Sequence, residues 1–252
     1  MQNARLSVIL MNWQRPQNIR DLILPKLVQC PIVGEILICH CHPTTRFDCY
    51  SNKVPIRHLN YLAENNTHGL AIRFLAATQA RYQTIVYMDD DLVVHPATLM
   101  NMYRMYEKKS PCIVGRFGRR ILPGGTYSTD PLPLGMSAPI ALTSLLLVDR
   151  DFCGRAYSKS GPLMEYIEEH STPLWNGEDI FLSLMCLLEY GKWPILMDNP
   201  RMVPVHMLRS PSDLRVAISR RKGHSAYRSG LIRRICVVFR IHPDLLRNPP
   251  HH

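Results

Sequence analysis

Three consecutive carboxylates, Asp89, Asp90 and Asp91, follow the apolar run 84–88. Such a run predicts a buried strand, and open α/β sheets usually bind ligands beyond the carboxyl ends of their strands. Alternate side chains of an extended chain share a face, so we expect Asp89 and Asp91 to project into one site while Asp90 points elsewhere. Adjacent carboxylates repel one another unless a cation lies among them, and such oxygen ligands select Mg²⁺ or Mn²⁺. The turn is a candidate site for an ion that bridges carboxylate and diphosphate, with a solvated acidic turn as the alternative.

A second candidate metal site is the run Cys39-His40-Cys41-His42, because Cys and His are the usual ligands of zinc. Neighbours on a strand face opposite ways, so at most two of these side chains can approach one ion. The usual spacing of zinc ligands is also absent. The run therefore does not predict a zinc site.

A second acidic element, Asn176-Gly177-Glu178-Asp179, precedes an apolar helical pattern. A carboxylate within hydrogen-bond reach of an acceptor hydroxyl can remove its proton as a new bond forms. Asn176 is also a good N-cap with Asp179 three residues later, so the same residues could simply begin a helix. The two roles are compatible, because a capped helix end fixes the position of a carboxylate.

The C-terminal part is strongly basic, with ten Lys or Arg and one acid between Arg201 and Arg240. His224 and Arg228 are four residues apart, so on a helix they share a face, and arginine suits bidentate contact with phosphate. The whole chain carries a net charge of +10, which suits a phosphate, nucleic-acid or anionic-glycan partner. For the other arginines of this segment, a solvated helix face is the alternative.

The elements that must position these residues alternate between short β-rich runs and helical patterns. This alternation predicts an α/β fold with a largely parallel sheet. Residues 118–139 contain many Pro and Gly, and they predict a long surface loop. The predicted strands are 6–11, 35–39, 54–60, 84–88, 113–117 and 141–148, and the predicted helices are 17–29, 69–82, a segment after Pro96, and 178–190.

The 252 residues fit one folded unit, and no apolar run reaches the roughly 20 residues that a membrane-spanning helix needs. The N-terminal apolar run is typical of a first strand and not of a signal peptide. The eight cysteines form no Cys-x-x-Cys pair and several lie in apolar stretches, which favours free thiols. These features predict a soluble, cytoplasmic protein. Asn65-Asn66-Thr67 is a formal glycosylation acceptor, which would matter only if the chain entered the secretory pathway.

In order along the chain, the motifs resemble those of the exostosin-like family of GT-A glycosyltransferases. An Asp-x-Asp element is shared by many phosphate enzymes, whereas the ordered set is more specific and spans nearly the whole chain. The resemblance implies a Rossmann-like GT-A domain over 1–252, with a nucleotide-binding half at 1–118. Residues 119–252 would bind the acceptor and close over the donor. The matching segments are 8–15, 65–73, 87–91, 176–179 and 224–228.

The resemblance also implies the reaction. A UDP-sugar would bind through Mn²⁺ or Mg²⁺, and its sugar, xylose or N-acetylhexosamine, would move to a hydroxyl of a glycan acceptor. The implied partners are a nucleotide-sugar donor and a glycan, with no nucleic acid and no membrane span. The oligomeric state stays open.

The same resemblance implies roles for individual residues. Asp91 would ligate the metal, Asp89 would meet the ribose and Asp90 would face the donor sugar. Asp179 would be the catalytic base, and Arg228 would offset charge on the departing diphosphate. The further donor-binding residues implied are Asn12, Arg15, His40, Asn66, His68, Arg73 and His224.

Three departures from the family pattern stand out. His68 occupies a position where the family more often has Asn, and His40 lies in the Cys-His-Cys-His run that replaces an Asn pair on the second strand. A disulfide of the animal members would join the positions of Gly177 and Leu231, so both of its cysteines are absent. In this the chain is similar to soluble exostosin-like enzymes of large algal viruses, including a xylosyltransferase that builds viral glycans.

Exostosin-like enzymes are mostly retaining, while a Glu-Asp pair in this setting also resembles the base of inverting GT-A enzymes, and the pair favours inversion. Two other classes of protein remain open. One is a basic nucleic-acid-binding protein, although no zinc-finger spacing, RNP-like motif or helix-turn-helix accompanies the charge. The other is a metal-dependent phosphohydrolase or nucleotidyltransferase built around the acidic turn.

Overall fold

The computed structural model describes residues 5–109, 113–170, 176–197, 206–207 and 222–246. Its centre is a seven-stranded sheet with the strand order β11-β6-β10-β4-β1-β2-β3. The strands of the described residues are β1 (Leu6–Asn12), β2 (Val33–His40), β3 (Ile56–Asn60), β4 (Thr84–Met88), β5 (Leu92–Val93), β6 (Val114–Gly115), β7 (Gly118–Leu122), β8 (Thr126–Pro131), β9 (Ile140–Ala141), β10 (Leu145–Asp149), β11 (Ile195–Leu196) and β12 (His206–Met207).

Helices cover both faces of this sheet. A π-helical segment, Asn18–Ile23, leads into the first of them, and 3-10 turns occupy Gly69–Ala71, Pro123–Gly125 and Pro243–Leu246. The α-helices of the described residues are α1 (Leu24–Leu27), α2 (Leu62–His68), α3 (Ile72–Thr78), α4 (Pro96–Lys109), α5 (Arg150–Ser158), α6 (Gly161–Glu169), α7 (Glu178–Tyr190) and α8 (His224–Val238).

The sheet is mostly parallel, because β1, β2, β3 and β4 run the same way and, among its described strands, only β10 is antiparallel to its neighbours. Strand β1 is buried along its whole length. Its Ile9 side chain joins the core under α3, α5, α7 and α8, while Leu10 joins the core under α1 and α4. Burial on both faces explains the continuous apolar runs of the inner strands. The predicted α/β fold with a mostly parallel sheet is confirmed.

The long loop predicted at 118–139 is wrong. Strands β7 and β8 form a hairpin, and β9 pairs with β7 to complete a three-stranded sheet. Gly124 and Gly125 make the turn with φ of 68° and 73°, which glycine adopts without steric cost. Ile121 and Tyr127, which pair across this hairpin, are buried in the core that also holds α8. Tertiary packing therefore outweighs the Pro and Gly content of the segment.

Two further predicted elements need correction. The strand predicted at 141–148 is split, because the Ala141 N–H donates 3.0 Å to Ser183 Oγ and β10 begins only at Leu145. The helix predicted at 69–82 is shorter, because a 3-10 turn occupies Gly69–Ala71 and α3 covers only Ile72–Thr78. Within the described part of the chain, no helix has the length and apolar character to cross a membrane.

Candidate functional site

The acidic turn lies at the carboxyl end of β4, where Asp89 is joined to the next strand and to a buried arginine. The Asp89 N–H donates 3.1 Å to the Ser144 carbonyl oxygen just before β10. Its carboxylate accepts a hydrogen bond from Arg73 Nη2 of α3. Arg73 is 2% exposed, whereas the Asp89 side chain keeps 32% of its surface exposed. Asp89 is therefore both anchored to the core and accessible to a ligand.

Asp90 ties the acidic turn to the end of β1. Its Oδ1 accepts from Arg15 Nη1 at 2.6 Å, and its Oδ2 accepts from the backbone N–H groups of Trp13 and Gln14 at 3.1 and 3.3 Å. Asn18 Nδ2 also donates 3.1 Å to the Asp90 carbonyl oxygen. Burial raises the pKa of Asp90, while Arg15 opposes that shift. All of these contacts are to protein groups, so a role of Asp90 toward the donor sugar stays a prediction.

Asp91 is placed differently from Asp90. Its side chain is 26% exposed, and Arg15 Nη1 lies 3.7 Å from Asp91 Oδ2. Burial and the neighbouring Asp89 raise the pKa of Asp91 to about 6. A carboxyl group that ionises reluctantly beside other carboxylates is stabilised in its charged form by a nearby cation.

Glu178 forms a second ion pair with Arg73, at the Nε atom of the guanidinium. Arg73 Nε lies 3.5 Å from Glu178 Oε1, which also accepts a 2.5 Å hydrogen bond from Thr143 Oγ1. The Gly177 N–H donates 3.1 Å to Oε2. Burial and the adjacent Asp179 raise the pKa of Glu178, although Arg73 opposes the shift. Arg73 thus links the acidic turn to the start of α7.

Asp179 is paired with Arg228 of α8. Arg228 Nη2 donates 2.6 Å to Asp179 Oδ2, and the Ile180 N–H donates 2.8 Å to Oδ1. Arg228 Nη1 donates 3.1 Å to Asn176 Oδ1, and its guanidinium carbon lies 4.4 Å from the centre of the Tyr127 ring. Burial disfavours the charge of Arg228, but Asp179, Tyr127 and Glu178 together raise the pKa of Arg228. The pair is nearly removed from solvent, with exposed fractions of 5% and 6%.

His224 lies on the same face of α8 as Arg228, as their spacing predicts. Asn176 Nδ2 and His224 Nδ1 are 3.3 Å apart, and the ring makes an edge contact with Tyr127 at 6.2 Å. Burial and Arg228 lower the pKa of His224 to about 4. The ring is therefore neutral near pH 7, and its Nε2 carries the proton because Nδ1 accepts from the amide.

The interpretation of Asn176 as a helix N-cap is wrong. Gly177 holds the N-cap position of α7 and makes no side-chain cap. The Asn176 amide instead binds Arg228 and His224, which joins α7 to α8. Tyr127 and Thr143 also contact residues of the site, and no local sequence signal marks them, because each reaches the site only through the packing of β8 or the 142–144 turn.

The remaining candidates lie at the carboxyl ends of β1 and β2 and on α2. Asn12 is fully buried at the end of β1, and its Nδ2 lies 2.8 Å from His40 Nδ1 of β2. Asn66 is exposed on α2. His68 ends α2 with its ring 6.3 Å from that of Tyr157. Within the described residues, no hydrogen bond or ion pair joins Asn66 or His68 to the acidic turn.

The charge balance of this corner fits a divalent cation. Five carboxylates, those of the acidic turn and of Glu178 and Asp179, form ion pairs in the described part of the chain with the guanidiniums of Arg15, Arg73 and Arg228. With all five ionised, two negative charges are left over, which one Mg²⁺ or Mn²⁺ would neutralise. Burial raises the pKa of Asp90, Glu178 and Asp91, that of Asp91 to about 6. No group of three or more His, Cys, Asp or Glu among the described residues could hold a metal by itself. An ion here would thus need ligands from a bound diphosphate or water as well.

Gly177 and Leu231, the positions matched to the absent disulfide, are in contact. A Cβ atom added at Gly177 would lie 2.2 Å from Leu231 Cδ2, so the glycine leaves room for the leucine. Leu231 is fully buried. Apolar packing therefore joins α7 to α8 at the place where the resemblance implies a covalent bridge. The seven cysteines that the structure describes are free thiols.

The chain belongs to the family described as the glycosyl transferase family 64 domain, because the model of that family matches residues 6–248. It is therefore a glycosyltransferase, an enzyme that transfers sugars. No curated protein matches the sequence significantly.

Many solved structures match this chain, among them three at low identity. The 2-C-methyl-D-erythritol 4-phosphate cytidylyltransferase of Francisella tularensis is 10% identical, with 84% of this chain and 97% of that chain covered and a TM-score of 0.47. The same enzyme from Thermus thermophilus is 11% identical, with coverage of 83% and 95% and a TM-score of 0.45. A mannosyltransferase from Pyrobaculum calidifontis, solved with GDP-Man and Mn²⁺, is 13% identical, with coverage of 82% and 58% and a TM-score of 0.49.

Proposed function

We propose that this chain is an exostosin-like GT-A enzyme that transfers a sugar, xylose or N-acetylhexosamine, from a UDP-sugar to a glycan hydroxyl with Mn²⁺ or Mg²⁺. The observation that carries the proposal is the buried Arg73, which joins the acidic turn to the Glu178-Asp179 pair. Arg73 contacts both Asp89 and Glu178, and Arg228 contacts Asp179. Carboxylates from distant segments thus surround one place at the carboxyl edge of the sheet.

In this proposal Asp91 and Asp89 hold the metal and the donor on the exposed side of the acidic turn. The divalent ion would neutralise charge on the diphosphate as it leaves. Asp90 keeps the turn in place, because its carboxylate binds the backbone N–H groups at the end of β1 and Arg15. Arg15 also lies 3.7 Å from Asp91, so it holds positive charge beside the proposed diphosphate position.

Asp179 is the proposed base. The acceptor oxygen forms a bond to C1 of the sugar, the bond from C1 to the diphosphate oxygen breaks, and the acceptor proton passes to Asp179. Arg228 donates a hydrogen bond to Asp179 Oδ2, and each carboxylate oxygen still has a second lone pair for the acceptor hydroxyl. This assignment leads to inversion at C1. The free thiols and the Gly177-Leu231 contact support kinship with the soluble algal-virus enzymes.

The testing experiment mixes purified protein with Mn²⁺ and a panel of nucleotide sugars, and it measures thermal stabilisation and slow donor hydrolysis. We expect a response that depends on the sugar, that favours UDP-xylose or a UDP-N-acetylhexosamine, and that disappears with EDTA. Cleavage indifferent to the sugar would support a phosphohydrolase or nucleotidyltransferase instead. Salt-sensitive oligonucleotide binding without any response to nucleotide sugars would support a nucleic-acid-binding protein.

A further inference from the structure

A chain of hydrogen bonds leads away from the carboxyl end of β1 through two histidines. Asn12 Nδ2 lies 2.8 Å from both the Thr45 carbonyl oxygen and His40 Nδ1. His40 Nε2 lies 2.8 Å from His58 Nδ1 of β3, and His58 Nε2 lies 3.0 Å from the Cys49 carbonyl oxygen. The two imidazole planes differ by only 7°. We call Asn12, His40 and His58 the histidine relay.

The direction of the hydrogen bonds in the histidine relay follows from its Asn12 end, because His58 Nε2 lies 3.0 Å from the Cys49 carbonyl oxygen and also 3.3 Å from the Cys49 backbone nitrogen. A carbonyl oxygen only accepts, so the atom beside Thr45 must be the Asn12 amide nitrogen. That nitrogen donates its second hydrogen to His40 Nδ1, which leaves the His40 proton on Nε2 and makes His58 Nδ1 an acceptor. The His58 proton is then on Nε2 and is donated to Cys49. Burial and His58 lower the pKa of His40 to about 4, so the neutral ring that this arrangement requires is present at neutral pH.

One buried polar atom of the relay, Asn12 Oδ1, has no hydrogen-bond partner among the described residues. Asn12 itself is fully buried. A buried acceptor without a donor costs free energy, so it is expected to serve a ligand or a strained site. The next residue, Trp13, donates its N–H to Asp90 of the acidic turn, so Asn12 lies directly beside the candidate site.

We infer that His58 is a positioning residue that acts through His40 to hold the Asn12 amide, so that Oδ1 accepts a hydrogen bond from an N–H or O–H group of the bound nucleotide. This inference rests on the proposed function. A free amide could rotate and offer its NH₂ group at the same place, and the ligand's donor would then face another donor. The relay removes that alternative orientation before the nucleotide binds, and this lowers the cost of binding.

The test compares His58→Phe with His58→Asn. Phenylalanine keeps a ring beside Phe47 but gives the His40 Nε2–H no acceptor, whereas asparagine can place its oxygen near the Nδ1 position. For His58→Phe we expect the donor KM to rise on the order of ten-fold with kcat within about two-fold, because uniform binding is lost. His58→Asn should restore KM to within about three-fold of the wild-type value. Unchanged KM in His58→Phe would overturn the inference.

Ile56→Ala is the matched control, because Ile56 lies on the same strand, is partly buried and takes no part in the relay. It should lower the melting temperature without changing the donor KM. A second measurement needs no variant: ¹⁵N NMR of the ligand-free protein should show Nδ1 of both His40 and His58 without a proton. A proton on Nδ1 of either ring would overturn the inference. A wild-type protein that binds no nucleotide sugar would instead contradict the proposed function, since the tautomers are measured without a ligand.

Discussion

Arg228 and Asp179 form a buried ion pair in which Nη2 donates 2.6 Å to Oδ2. The two residues are 49 positions apart in the chain and belong to α8 and α7. Asp179 is the proposed base, and Arg228 is the cation proposed to offset charge on the departing diphosphate. The buried pair therefore joins the proposed base directly to the proposed diphosphate-binding cation.

Asp179→Asn removes the proton acceptor while keeping the size of the side chain. We expect kcat to fall by at least about a hundred-fold, since general base catalysis typically contributes roughly 10² to 10⁴. Donor affinity should stay within about three-fold, because the acidic turn is unchanged. Steady-state kinetics together with calorimetric titration of the donor measure both quantities. A variant with full turnover would return Asp179 to a purely structural role.

Asp91→Asn is expected to abolish metal-dependent donor binding without unfolding the protein. The amide oxygen is neutral and a weaker ligand for Mn²⁺ than a carboxylate. Titration of donor with and without Mn²⁺ measures the effect, and circular dichroism reports the fold. Asp151→Asn is the matched control, because Asp151 is exposed on α5 and pairs there with Arg150. Equal donor affinity in Asp91→Asn and the wild-type protein would remove the metal assignment.

The free energy of unfolding should contain a histidine contribution that is lost at mildly acidic pH. The folded pKa of His224 is lowered to about 4, below the value of about 6.5 for an unfolded chain. A lowered histidine pKa means that the unfolded state binds the proton more readily. The contribution is therefore complete above a pH of about 6.5 and decreases as the pH falls toward about 4.

Asp91 titrates in the same range with the opposite sign, because its pKa is raised to about 6 and its protonation favours the folded state. The measurement is therefore made by urea unfolding in an Asp91→Asn background without metal. His224→Phe in that background should reduce the loss of stability between about pH 6.5 and about pH 5. Parallel pH profiles with and without this substitution would contradict the assignment of a buried neutral His224.

Gly177→Ala should destabilise the protein by about 1–3 kcal/mol. Gly177 has φ of 124°, and an added Cβ would lie 2.2 Å from Leu231 Cδ2. Both the backbone and the packing therefore oppose a side chain. Chemical denaturation measures the change. Gly154→Ala in α5 is the control, because a Cβ there meets nothing within 4 Å, and alanine favours a helix over glycine. An equal effect of the two substitutions would show that Gly177 has no special constraint.

The parts of the fold that could be predicted are those with a strong local signal. Strand β4 is a continuous apolar run bounded by polar residues, so its limits were predicted correctly. The hairpin of β7 and β8 was predicted as a loop because of its Pro and Gly content. Its burial depends on contacts with α8, which lies about a hundred residues further along the chain. Short elements of this kind are stabilised by tertiary contacts that leave little trace in their own composition.

The sequence by itself determined which groups are present and how they are ordered: three carboxylates after a buried strand, a Glu-Asp pair before an apolar helix, and His224 and Arg228 one helical turn apart. Only the tertiary structure decided their partners. Arg73 joins Asp89 to Glu178, Arg228 joins Asp179 to Asn176, and Asp90 binds the end of β1. The physical reason is that a side-chain type sets a charge and a hydrogen-bonding capacity, whereas the choice between several carboxylates depends on distances set by packing across the sheet.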